Sequence, residues 1–471
     1  MSPFRYLALL LAAALCTGCV VQATLPEGRA PLTQNGEMAL FLQPIPQGAA
    51  GYQFVIDDFD VLHGDGSRTP VPLNFHDIGG PLNQGVQKQL AAAVLPPGMY
   101  KGIAIHIKAA TKATEEGIVT LLVPGEAVVV AQPFDILAGR TCALFLSFSL
   151  LDTDRQGMRF APLFTLAPAA QGVINMTGYI ANANTNAITV FDKKSLQVVD
   201  LIATGQEPRD IVVDARRARA YVAAAGDNRV EVIDLLKRAV IEQLRLSLND
   251  RPVALALTPD GRTLVSVNNG TNTVSVIDAL GLVELSRISV GEGPTSAVIT
   301  PSGLKCVVLN TRDSTVSIID LPRRTLAVTL GLEGEPVRAS ANRDGSRLYV
   351  VSQNTPNLSV IDLTSLIVTD KVFIGAGGSC ITTDAQTGLI YVGLAGTADI
   401  VVVDPFALAL IDIFHLDGRP AFMVIESQER HLFVTLPDQG VVQRIEIISK
   451  RISTGIEVGR GANSVAFADE R

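Results

Sequence analysis

The chain carries seven versions of one octapeptide. TNTVSVID (271–278) is echoed by TNAITVFD, DNRVEVID, DSTVSIID, TPNLSVID, TADIVVVD and a more divergent QGVVQRIE. The copies close on Asp192, Asp234, Asp278, Asp320, Asp362, Asp404 and Glu446, spaced 42, 44, 42, 42, 42 and 42 residues apart. Such a period must be read before any motif, because a repeated unit buries its faces by stacking on its copies. A spacing near 42 suits four short strands and their turns, the size of a β-propeller blade.

One full unit can be read strand by strand. RPVALALTPDGR (251–262) is a strand ending in a Pro-Asp-Gly turn, TLVSVNNG (263–270) a second and NTVSVID (272–278) a third. VELSRISVGEGP (283–294) is a fourth, running into a Gly-Pro loop. Four residues before each closing acid stands a branched apolar residue, and the residue just before the acid is apolar too. These positions lie on opposite faces of a strand, so the third strand is predicted to be buried on both. The closing acids precede turns whose N–H groups they can accept, which makes them builders of the repeat and not metal ligands. Pro208, Pro252, Pro294, Pro336 and Pro420 recur just before a first strand, with Ser379 and Ala462 in two copies. The repeats begin at 178 with a second strand, whereas NSVAFADE (463–470) is a first strand with no blade after it. Pairing the two would close the ring and remove its open edges.

The units YVVSQNTPNLSVIDLTSLIVTDKVFIGAGG and VSVNNGTNTVSVIDALGLVELSRISVGEGP resemble the YVTN family of bacterial β-propellers. Tyr179, Tyr221, Tyr349 and Tyr391 keep that family's aromatic and Phe433 stands in for it, with Leu264 and Cys306 near the place in two copies. The resemblance covers 177–469 and implies a WD40-like ring of seven blades.

The N-terminus differs. MSPFRYLALLLAAALCTGC has one early Arg, a short apolar run and small residues before Cys19, which reads as an export signal. Its ending resembles the lipobox of bacterial lipoproteins, which implies acylation of Cys19; an ordinary secretory signal is the alternative. Val20 after that Cys resembles the outer-membrane pattern and implies a lipoprotein facing the periplasm or the surface. The domains are expected as signal 1–18, tether 19–36, β-sandwich 37–166, linker 167–176 and propeller 177–471. LPPGMYKGIAIHIKAA and CALFLSFSLL within 37–166 resemble a β-sandwich of unknown function found in bacterial surface lipoproteins, and a short helix is expected within 83–98. The expected fold class is all-β, a seven-bladed propeller preceded by a smaller sandwich.

Chemistry is sparse. A net charge of −8 offers no general attraction for nucleic acid. Cys142, Cys306 and Cys380 suggest neither a disulfide framework nor a metal site, and with five His that lack ligand spacing neither a metal nor a cofactor is expected. No P-loop, G-x-S-x-G or C-x-x-C-H occurs. What remains is Arg209, Arg251, Arg338 and Arg419, each close to a loop entering a first strand. Those loops gather at one channel mouth, so the four could face an anionic ligand or acidic partner. Alternatively each pairs with a loop acid, Glu207, Asp250, Glu335 or Asp417. The reading is a non-enzymatic envelope scaffold, anchored in the membrane by its lipid, whose partners are envelope proteins or polysaccharide. The rival reading is a lactonase-like hydrolase using the mouth, for which at most His415 would supply an imidazole.

Overall fold

The computed structural model describes residues 32, 34–79, 85–150, 159–169, 174–426, 428, 430–453 and 455–468. Cys19, the export segment and most of the tether lie outside them. Among the described residues no helix is long and apolar enough to cross a membrane.

From Thr177 to Phe467 the strands form seven four-stranded antiparallel sheets, six of them in simple chain order. The second, for example, runs Pro208–Asp214, Arg219–Ala224, Arg229–Asp234, Ala239–Arg245. Each innermost strand touches that of the next sheet, and Ala462–Phe467 touches Pro208–Asp214, so the order is circular. This is a β-propeller. Its first sheet joins the two ends of the region, with Ala462–Phe467 antiparallel to Thr177–Asn182.

The octapeptides are the third strands. Val230, Val274 and Val316 on one face and Ile233, Ile277 and Ile319 on the other are fully buried. Each such side chain contributes roughly 1.5–3 kcal/mol when taken from water. The closing acids cap the following turn. Asp192 accepts from the N–H of Lys194 and Ser195 at 3.1 and 2.7 Å, and Asp234, Asp362 and Asp404 repeat the pattern. The strand register refines the aromatic slot. Tyr221 lies opposite Val232, and the residues in the same place of the next two sheets are Val265 and Val307. Leu264 and Cys306 sit one step away on the other face.

Before the propeller stand two further sheets. One orders Pro162–Pro168, Thr141–Leu150, Gly36–Leu42 and Lys88–Leu95, with the central pair parallel. The other is seven-stranded, built on Tyr52–His63 and Gly98–Thr114. Met38, Leu40 and Leu42 share one apolar core with Phe54, Ile56, Ile103 and Ile105 of the second sheet. Ala39 and Phe41, on the reverse face, pack with Phe145 against Ile180, Phe191 and Val458 of the ring. Both faces of Gly36–Leu42 are therefore buried, as the apolar run Met38–Leu42 within it requires. The helix expected within 83–98 is absent from the described part. Lys88–Leu95 is a strand, because its small residues pair with Gly36–Leu42 (Ala92 with Ala39, Ala91 with Leu40), and that long-range pairing overrides helix propensity.

The seam between these sheets and the ring is polar as well as apolar. The Gln87 amide donates to the Val198 carbonyl at 3.1 Å and accepts its N–H at 2.7 Å, acting like a further strand on the free edge of Val198–Ala203. Within the ring, buried Lys193 reaches Glu426 Oε1 of the seventh sheet at 2.9 Å and lies 5.6 Å from the Phe467 ring centroid. It ties the first sheet, the last and the closing strand together.

Two outcomes follow from this architecture. Lys193→Met strips a buried carboxylate of its ammonium and should lower stability by about 3–5 kcal/mol, read as a fall in the urea midpoint. Adding Glu426→Leu should restore much of it. Backbone N–H donors hold the carboxyls of Asp234, Asp320 and Asp362 below the ordinary carboxylate range. Their contribution is complete above that range and is lost as pH falls through the lowered folded values. The triple Asn variant should therefore show a flatter acid limb in a plot of urea midpoint against pH.

Candidate functional site

Six of the seven innermost strands start with the same local device. The residue before it turns through the left-handed region. Gly293 and Gly377 do so at φ +62° and +84°, where glycine meets no steric cost. Glu207 and Arg251 adopt the same conformation at +51° and +47°, so two charged side chains stand where glycine is the relaxed choice. The octapeptide Asn secures this loop: the Oδ1 of Asn186, Asn228 and Asn272 accepts the N–H of Glu207, Arg251 and Gly293 at 2.9–3.0 Å. A β-bulge follows. Pro208 pairs with Ala224 and Asp210 with Ala223, so Arg209 is skipped, and the same skip recurs at Val253 and Thr295. Bulges re-aim side chains, and here they aim them into the channel mouth.

That mouth holds two adjoining cavities of ≈ 600 and ≈ 330 Å³. Arg209, Arg251 and Arg338 line the larger and Arg338 and Arg419 the smaller, so all four sequence-predicted arginines are brought together. They arrive from three different repeat positions: the bulge (Arg209), the residue before the entry proline (Arg251, Arg419) and the residue after the bulge (Arg338). Sequence reasoning missed a fifth, Arg312, which lines the larger cavity from the turn between second and third strands. That turn shares an end of the ring with the entry loops, which is the signal that would have revealed it.

The pairing alternative holds for two of the five. One oxygen of Glu207 accepts from Arg209 at 3.4 Å and Arg251 at 3.0 Å. Asp250 does not pair with Arg251. It is buried, and accepts from Arg287 Nη1, the Thr271 hydroxyl and Ser247 N–H, each at 2.7 Å. Among the described residues no carboxylate lies within ion-pair distance of Arg312, Arg338 or Arg419. Arg338 reaches over the ring of Phe422, two sheets away, at 5.5 Å, and so crosses the mouth. Its charge acts on Asp210, whose carboxyl takes the Leu255 N–H at 2.9 Å. Burial nonetheless pushes that carboxyl above the ordinary range. The rim is held by cross-sheet bonds, Asn269 to the Pro294 carbonyl, Thr311 to that of Pro336 and Ser379 to that of Pro420, at 2.6–2.9 Å.

His415 does not join this site. It lies 83% exposed on the outermost strand of the sixth sheet, 2.7 Å from Asp399, because its place in the repeat is the end of a fourth strand. The lactonase reading thereby loses its one imidazole. Among the described residues no group of three or more His, Cys, Asp or Glu side chains could hold a metal ion. The three thiols among the described residues are free, and burial pushes them up, to about 11 for Cys142 and about 12 for Cys306 and Cys380. Such thiols are poor nucleophiles.

The profile of the YNCE-like beta-propeller family matches residues 170–388. No curated protein matches the chain in sequence. Among solved structures, the hydrazine synthase of Kuenenia stuttgartiensis is similar at 18% identity and TM-score 0.50, over 56% of this chain and 90% of that one. The dihydro-heme d1 dehydrogenase NirN, in complex with DHE, is similar at 15% identity and TM-score 0.50, over 62% and 66%. A functionally unknown protein from Desulfotomaculum acetoxidans DSM 771 is similar at 15% identity and TM-score 0.55, over 62% and 99%. At these identities the likeness is one of fold. The circular order of sheets, the family match and these neighbours agree that the chain is a β-propeller protein.

Proposed function

We propose that this is a cell-envelope lipoprotein, acylated at Cys19, in which a β-sandwich and a seven-bladed propeller act together as a non-enzymatic binding module. Seven sheets in circular contact support the blade count, and the apolar core shared by two N-terminal sheets supports the sandwich. The outer membrane, with the module facing the periplasm or the surface, is the location that the lipobox-like ending implies. The similar propellers include enzymes, so the fold does not decide the role and the reading rests on the site.

One observation carries it: five guanidinium groups meet at one rigid mouth, and among the described residues three have no carboxylate within ion-pair distance. In a chain of net charge −8, this local excess of cations selects an anionic ligand or the acidic surface of an envelope protein or polysaccharide. Guanidinium forks bind carboxylate or phosphate in bidentate fashion, and a rim already tied by cross-sheet bonds loses little freedom when it binds.

Crosslinking in the native envelope, followed by identification of what co-purifies, tests the reading. Arg209→Gln, Arg251→Gln and Arg338→Gln together should abolish capture of the partner while the melting temperature holds. A partner captured equally by the variant would remove the mouth from the account. Turnover of a lactone by the purified protein, lost on the same substitutions, would replace the binding role with the enzymatic one. Cys19→Ala should release the protein from the membrane pellet if its lipid is the anchor.

A further inference from the structure

The two ends of the ring expose different chemistry. In every sheet the third strand runs away from the arginine mouth, so its hairpin to the outer strand lies at the opposite end. The second residue after the closing acid forms the apex of that hairpin. In four sheets it is Leu236, Leu280, Phe406 and Ile448, exposed by 67%, 48%, 90% and 84%. Turn geometry calls for the acid but not for an apolar apex. The first, fourth and fifth sheets place Met176, Leu304 and Ile367, also exposed, at this same end. Every sheet thus contributes at least one large apolar side chain, whereas among the described residues of the ring only Leu248, Phe373 and Ile413 stand exposed towards the mouth.

Cations are interleaved with these tips. Lys194, Arg216, Arg262, Arg324, Arg343 and Arg451 are exposed at this end and have no carboxylate within ion-pair distance among the described residues. The neighbouring acids are drawn back onto the N–H groups of their own turns. A protein interface concentrates its apolar contacts in a contiguous centre. Here single apolar tips are spread around a ring with basic side chains between them, which fits a broad, flat, anionic partner.

We propose that this end of the ring docks on an anionic lipid surface, seating one apolar side chain per sheet among the headgroups and setting the cations on lipid phosphates. The contact is independent of acylation at Cys19, and it points the arginine mouth away from the bilayer.

The test uses the full chain with Cys19→Ala, sedimented with vesicles of phosphatidylethanolamine and phosphatidylglycerol. Leu236→Ser, Phe406→Ser and Ile448→Ser together should lower the partition coefficient by about tenfold or more. Leu248→Ser with Phe373→Ser, at the mouth end, should leave it unchanged, and matched melting temperatures show that each variant is folded. Equal partitioning of the parent and the triple variant would overturn the proposal. So would a photocrosslinker at position 406 that is captured by protein, and not by lipid, in the envelope.

Discussion

The pairing of Ala462–Phe467 with Thr177–Asn182 is the contact on which the rest depends. A blade has two apolar faces and each needs a neighbour, so an open array would leave one bare at either end. Closure supplies both at once. The join is reinforced where it is weakest: Phe191, Phe433 and Phe467 pack with ring centroids 4.8–6.1 Å apart, and the Lys193–Glu426 pair spans the gap beside them. The N-terminal sheet covers the same seam from outside through Phe41 and Phe145. A rigid ring then follows, and with it a mouth whose loops keep their spacing.

The mouth shows how a repeat can produce a site that does not repeat. The backbone device recurs in six of the sheets, a left-handed residue and then a bulge that turns one side chain inward, and in three of them an Asn holds it. Arginine enters at three positions of that device and, as Arg312, from an adjacent turn. The carboxylate of Glu207 bridges two of them, and Arg338 lies across the opening on Phe422. The octapeptide Asn is part of this construction in three copies because its side chain satisfies the N–H of the left-handed loop residue.

The same directionality that gathers the entry loops at one end gathers the outer hairpins at the other. A cationic mouth and an apolar-tipped, basic underside are therefore a consequence of antiparallel blades all running the same way. Loop residues can vary at either end without disturbing the buried strands between them, which is why this scaffold separates structure from recognition so cleanly.

The sequence by itself determined the strand count per repeat, the burial of both faces of the third strand, the capping role of its acid and the way the ring ends must meet. Each of these is a local or periodic property, written in residue spacing and turn chemistry. It also named four of the five arginines at the mouth, since register within the repeat carries over to position in the ring. The tertiary structure alone decided three things. Lys88–Leu95 became a strand because a distant partner, Gly36–Leu42, was there to pair with it. Arg312 reached the mouth because a turn remote in the repeat shares an end of the ring with the entry loops. His415 was carried to the outer edge of the ring, away from the mouth, because a fourth strand is the outermost, whatever its residues. Periodicity fixes which residues are equivalent, but only the closed ring fixes which non-equivalent residues meet.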